Sequence, residues 1–105
     1  MIYAISGKLV GKRGSAFIVE TAGVSFLLFA PARVLERLPA VGTPIKVFSY
    51  LHVRENALEL YGFLDEAELT FFEKLNIVSG VGPKSALGIM GVARAEDLAA
   101  AVNSG

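Results

Sequence analysis

Ser79-Gly80-Val81-Gly82-Pro83-Lys84 is the stretch of this 105-residue chain whose residue types and spacing suit anion binding. Two glycines let a backbone bend tightly, and Pro83 suits the first position of a helix, where its missing N–H leaves no bond unmade. The amides at such a helix start lie at the positive end of the helix dipole, so main-chain hydrogen bonds can hold a phosphate there. Lys84 adds a flexible point charge. Around the bend, Leu75, Val78, Val81, Ala86 and Leu87 supply an apolar frame for two packed helices.

Two better-known phosphate loops share these glycines and are excluded by register. A Walker A loop needs Gly followed directly by Lys and then Ser or Thr, whereas Pro83 separates Gly82 from Lys84. A Rossmann fingerprint needs a strand before Gly80 and Gly or Ala at Ser85, but residues 72 to 78 have helical character. What remains resembles a helix-hairpin-helix DNA-binding motif, with Ser79, Gly80, Val81, Gly82 and Lys84 as phosphate-binding residues. A tight helix-to-helix turn with no ligand shares the same apolar frame, and Lys84 is what favours phosphate. A glycosylase using Lys84 as nucleophile and Asp97 as helper would need a base pocket and an orienting partner, for which the sequence offers no candidates. No catalytic residue, metal ligand or cofactor is assigned.

Composition narrows the field further. Hydrophobic residues make up 53% and charged residues 19%, a balance that excludes a disordered tail and requires packed cores or buried subunit contacts. Ten Lys and Arg offset ten Asp and Glu, so any attraction to nucleic acid has to be local. Cysteine is absent, which removes disulfides, thiolate metal sites and cysteine nucleophiles together. The lone His52, between Leu51 and Val53, reads as a strand residue, because a metal site needs several converging ligands. With no basic, apolar leader and no apolar run near the roughly 20 residues of a membrane span, the expectation is a soluble, cytoplasmic protein.

The elements that must position these residues fall into two groups. Ile2 to Val10, Ser15 to Thr21 and Val24 to Ala30 are rich in β-branched and aromatic residues, with turns expected at Gly11 to Gly14 and at Ala22-Gly23. Pro31 opens a short helix through Leu38, Pro39 to Pro44 forms a loop, and strands follow over Ile45 to Arg54 and Ala57 to Phe63. Five strands with one helix between the third and fourth match the plan of an OB-fold barrel, with a small SH3-like barrel as competitor. Residues 1–63 are therefore expected to form an OB-fold domain and residues 64–105 a helical region.

Asp65 then reads as an N-cap with Glu68 in the capping-box position. Leu64, Ala67, Phe71, Phe72, Leu75 and Val78 recur at helical spacing and are expected to face the core, leaving Leu69 and Ile77 off the stripe. Further helices are expected from Pro83 to about Gly91 and from about Glu96 to Val102.

Val53-Arg54-Glu55-Asn56-Ala57, Leu60-Tyr61-Gly62-Phe63 and Ser79 to Lys84 together resemble the amino-terminal part of the RuvA family, over essentially the whole chain. The resemblance implies a homotetramer that binds Holliday junction DNA and holds it open while a RuvB motor drives branch migration, with a RuvC resolvase as a further partner. It also implies an acidic pin at the hairpin between the last two strands, here Glu55-Asn56. The family commonly has two acids there, so Asn56 halves the charge that each subunit brings to the crossover. Arg54 is a candidate phosphate contact, with a salt bridge to Glu59 or plain exposure as alternatives. Family members continue into a second helix-hairpin-helix and a domain that contacts RuvB. Because the sequence stops at Gly105, this polypeptide by itself is expected not to recruit the motor. The alternative is a structural oligomerisation core with little DNA binding of its own.

Overall fold

The computed structural model describes residues 2–78 and 82–92. Its strands are β1 (Ala4–Arg13), β2 (Ala16–Thr21), β3 (Val24–Phe29), β4 (Pro44–Arg54) and β5 (Ala57–Phe63), and its helices are α1 (Ala32–Glu36), α2 (Glu66–Val78) and α3 (Pro83–Val92). The strands close in the order β1-β2-β3-β5-β4. Antiparallel ladders join all neighbours except β3 and β5, which meet in a short parallel contact at Leu28 with Leu60 and Phe29 with Tyr61. This is the five-stranded OB-fold barrel, with α1 between β3 and β4. That short contact is what closes the barrel.

Alternation along the strands fills the barrel. Leu9, Phe17, Val19, Leu28 and Val47 are fully buried, while Lys8, Lys12, Glu20 and Lys46 point outward into solvent. The β2–β3 hairpin turns on Ala22-Gly23, with φ of 52° and 83°, the double left-handed geometry that matches strand twist and that glycine adopts most easily. The turn expected at Gly11 to Gly14 is displaced. A bulge between Leu9 and Gly11 lets β1 bend and stay paired with β2 through Arg13, so the turn contracts to Gly14-Ser15.

The first helix is shorter than its expected span of Pro31 to Leu38. Pro31 stands just outside α1 in an extended conformation (φ −70°, ψ 159°), and the helix ends at Glu36. Buried Val34 seats α1 against the core. Arg37, just beyond it, pairs at 2.6 Å with the carboxylate of Glu68 on α2.

That carboxylate explains a second correction. Asp65 caps α2 by accepting from the Glu68 amide at 2.9 Å, as the capping-box spacing predicts. The Glu68 side chain is itself buried, accepting from the Leu64 amide (3.3 Å) and from Arg37. Turning Glu68 inward carries Leu69 into the core beside it and leaves Ala67 in solvent, so Leu69 joins the buried stripe and Ala67 leaves it. Phe72 is fully buried and Ile77 is 79% exposed. Tyr61 and Phe63 of the barrel pack on Phe72 of the helix, with ring centroids 5.5 and 5.0 Å away respectively. On α3, Ala86 and Met90 are one turn apart and both buried in this same core. No described helix is long and apolar enough to cross a membrane. The third expected helix, with Asp97, lies outside the described residues.

Candidate nucleic-acid interface

Two projections of the fold carry the residues that the sequence singles out. The first is the start of α3. The Ala86 amide donates to the Gly82 carbonyl at 3.0 Å, which makes Gly82 the cap and Pro83 the first helical residue. Lys84 and Ser85 therefore carry first-turn amides, for which an α-helix provides no acceptor of its own. Gly82 is exposed, and a Cβ built on it would meet none of the described residues within 4 Å. Ser79, Gly80 and Val81 lie outside the described residues.

Lys84 does not simply trail into solvent. Its Nζ stands 4.8 Å from the centroid of the Phe29 ring, at the end of β3. Beside this pair a cleft of about 240 Å³ opens between the barrel and α3, lined by Ser15, Phe29, Pro31, Lys84, Leu87 and Gly88 among others. Phe29 is a residue that sequence reasoning missed. Its ring packs at 5.8 Å against Tyr61, which in turn stacks on Phe72. Only the register of β3 against β5 brings these rings together, so no local pattern signals it.

The second projection is the β4–β5 hairpin. Arg54 faces Ala57 across the ladder, leaving Glu55-Asn56 as a two-residue turn with both side chains exposed. Of the alternatives for Arg54, the salt bridge to Glu59 is formed, at 3.3 Å, while the Arg54 side chain stays 55% exposed. Glu59 also accepts from the Tyr61 hydroxyl at 2.9 Å. Burial, with that bond to a carboxylate second, pushes the Tyr61 phenol well above its ordinary range. A chain of contacts thus runs from Lys84 through Phe29, Tyr61 and Glu59 to Arg54. On the opposite face of the hairpin, cross-strand partners Val53 and Leu58 are 65% and 71% exposed. His52 stacks beside Tyr50, in keeping with a strand role.

Chemically, the arrangement offers a cation, first-turn amides and an open glycine on one projection, and a carboxylate-tipped turn on the other. A profile of the RuvA N terminal domain matches residues 1–62. Curated proteins similar to this chain include the Holliday junction branch migration complex subunit RuvA of Chloroherpeton thalassium, 44% identical over 90 residues that cover 86% of this chain and 45% of that protein. The subunit of the same name from Chloroflexus aggregans is 47% identical over 90 residues, covering 86% of this chain and 46% of its own length. That of Dehalococcoides mccartyi is 40% identical over 105 residues, 100% of this chain and 54% of the relative. The chain spans about half the length of the curated relatives it matches.

Proposed function

The chain belongs to the RuvA N-terminal domain family, and we propose that it binds Holliday junction DNA through the phosphate backbone, holding the junction open as a homotetramer. The observation that carries this reading is the start of α3, where Pro83 opens the helix beside exposed Gly82, Lys84 and Ser85 carry first-turn amides, and Lys84 brings a cation. Ser79, Gly80 and Val81 complete the proposed cradle. Contacts of this kind follow backbone shape and are largely indifferent to base sequence, which suits a junction whose crossover moves.

One such hairpin engages about two phosphates, for a salt slope near −2, so a single subunit binds weakly. Four linked subunits raise the apparent affinity by roughly 10² to 10⁴ when geometry allows them to act together. In that assembly Glu55, beside uncharged Asn56, is the acidic pin. Repulsion of phosphates by the converging carboxylates acts within a Debye length of about 8 to 10 Å. Arg54 contributes a phosphate contact from its exposed side. Residues 1–63 act as the OB-fold domain and residues from 64 onward as the DNA-gripping helical region. The chain is non-catalytic in this proposal, and the RuvB motor supplies the energy for migration, with RuvC as the later resolvase.

Val53, Leu58 and Ile77, all more than 60% exposed, favour a second reading as an oligomerisation core. Titration of a fluorescent four-way junction and a linear duplex of the same sequence, across a range of salt, separates the two. Junction preference with a steep salt slope supports the binding module. Equal and negligible binding of both DNAs by an oligomer supports the core alone.

A further inference from the structure

We propose that Phe29 is a positioning residue for Lys84, holding the ammonium at the mouth of the cleft between barrel and α3, where it meets a phosphodiester of the bound strand. This inference rests on Lys84 being a phosphate ligand. Its basis is the contact of Nζ with the Phe29 ring at 4.8 Å, within the range in which a cation is drawn to an aromatic face.

The ring is a fixed support. Phe29 packs against Tyr61 with centroids 5.8 Å apart, Tyr61 stacks on Phe72 at 5.5 Å, and both of these are fully buried. One side of Phe29 is therefore anchored in the core while the other carries the cation. A lysine loses much rotamer freedom when it grips a ligand, and a prearranged one has less to lose. Because an ammonium has three donors, a ring beneath it leaves others directed outward to oxygen. The neighbouring cleft, about 240 Å³ and lined by Ser15, Pro31, Leu87 and Gly88 among others, has room for a phosphodiester group beside that cation. The two partners lie 55 positions apart in sequence, so the barrel itself sets where the hairpin's cation stands.

The test combines spectra of the free protein with titrations of a fluorescent four-way junction, using the full chain and its Phe29→Leu, Phe29→Tyr, Lys84→Ala and doubly substituted Phe29→Leu, Lys84→Ala variants. In the wild type, the Lys84 ε-methylene protons are expected upfield of ordinary lysine because of the ring current. Phe29→Leu removes that shift and weakens junction binding about two- to fivefold, and Phe29→Tyr restores both. In the Lys84→Ala background, Phe29→Leu has no further effect. The proposal is overturned if the wild-type methylene shows no upfield shift, if folded Phe29→Leu binds as tightly as wild type, or if its effect persists without Lys84. Unchanged affinity of Lys84→Ala removes Lys84 as a phosphate ligand and the role of Phe29 with it. Because the free-protein spectra do not depend on DNA, they keep the contact testable even if Phe29→Leu folds poorly.

Discussion

Gly62 and Gly82 are the same residue under opposite constraints. In the barrel, a Cβ at Gly62 would lie 2.8 Å from Phe17 Cζ and 3.0 Å from Leu28 Cδ2, so the packing of this chain itself demands glycine. At the start of α3, a Cβ at Gly82 would meet none of the described residues. Nothing internal among the described neighbours requires glycine there, and the proposed reason is a nucleic-acid strand that approaches from outside. The same division runs through the acids. Glu68 is buried and held by Arg37 and the Leu64 amide, whereas Glu55 stands exposed on a two-residue turn. One region is determined by its own contacts, and the other is the proposed face for a ligand.

The largest effect expected of breaking this contrast is in the barrel. Gly62→Ala forces the Phe17 ring and Leu28 to shift, at a cost of about 1 to 3 kcal/mol, and urea denaturation should show it as a lower midpoint. For a domain near 100 residues that corresponds to a fall in Tm of roughly 4 to 8 °C per kcal/mol. An unchanged midpoint would mean that the close approach is easily relieved.

Gly82→Val is the mirror experiment. Its side chain meets none of the described residues near Gly82 in the free protein, so melting and circular dichroism should stay near wild type, while junction affinity drops about tenfold, or ~1.4 kcal/mol, by blocking phosphate approach. Normal junction binding by a folded Gly82→Val variant would remove the amide cradle from this position. Lys84→Ala should act more mildly, weakening four-way and linear DNA of any sequence alike and reducing the salt slope by about one per subunit. Anisotropy titrations at several salt concentrations measure both changes.

The smallest expected effect joins the two regions through Tyr61. Its phenol is raised in the folded protein by burial and by the bond to Glu59, so the unfolded chain ionises first as pH rises. The stabilising contribution is complete below the ordinary tyrosine pKa of about 10 and is lost as pH climbs above it. Melting temperatures from pH 8 to 11 should therefore fall more steeply for wild type than for Tyr61→Phe. Parallel curves would show that this hydroxyl does not couple titration to folding.

The legibility of the molecule divides along similar lines. Ala57–Phe63 is found with the bounds expected from its residues, because a strand announces itself through β-branched and aromatic side chains next to turn formers. Asp65 and Glu68 likewise mark the start of α2, since a capping bond spans only three residues. The expected turn at Gly11 to Gly14 fails for the opposite reason. Whether a glycine ends a strand or sits within a bulged one depends on the partner strand, and pairing with β2 keeps β1 extended to Arg13. Leu69 lies off the expected stripe yet is buried, because Glu68 turns inward toward Arg37, which is distant in sequence.

At the candidate interface, Gly82, Lys84 and Glu55-Asn56 are identifiable from short motifs, since a helix start or a two-residue turn is local. Phe29 is not, and neither is the link from Arg54 through Glu59 to Tyr61 toward the hairpin.

By itself, the amino-acid sequence determines five strands, a helix between the third and fourth, the capped start of α2 and the proline-opened start of α3. Each of these rests on dihedral preferences and hydrogen bonds that act over a few residues. Tertiary structure alone decides that β5 closes against β3, that Gly62 must lack a side chain, and that Lys84 rests on Phe29. Those outcomes depend on burying apolar surface between distant segments, which no short stretch of sequence can specify.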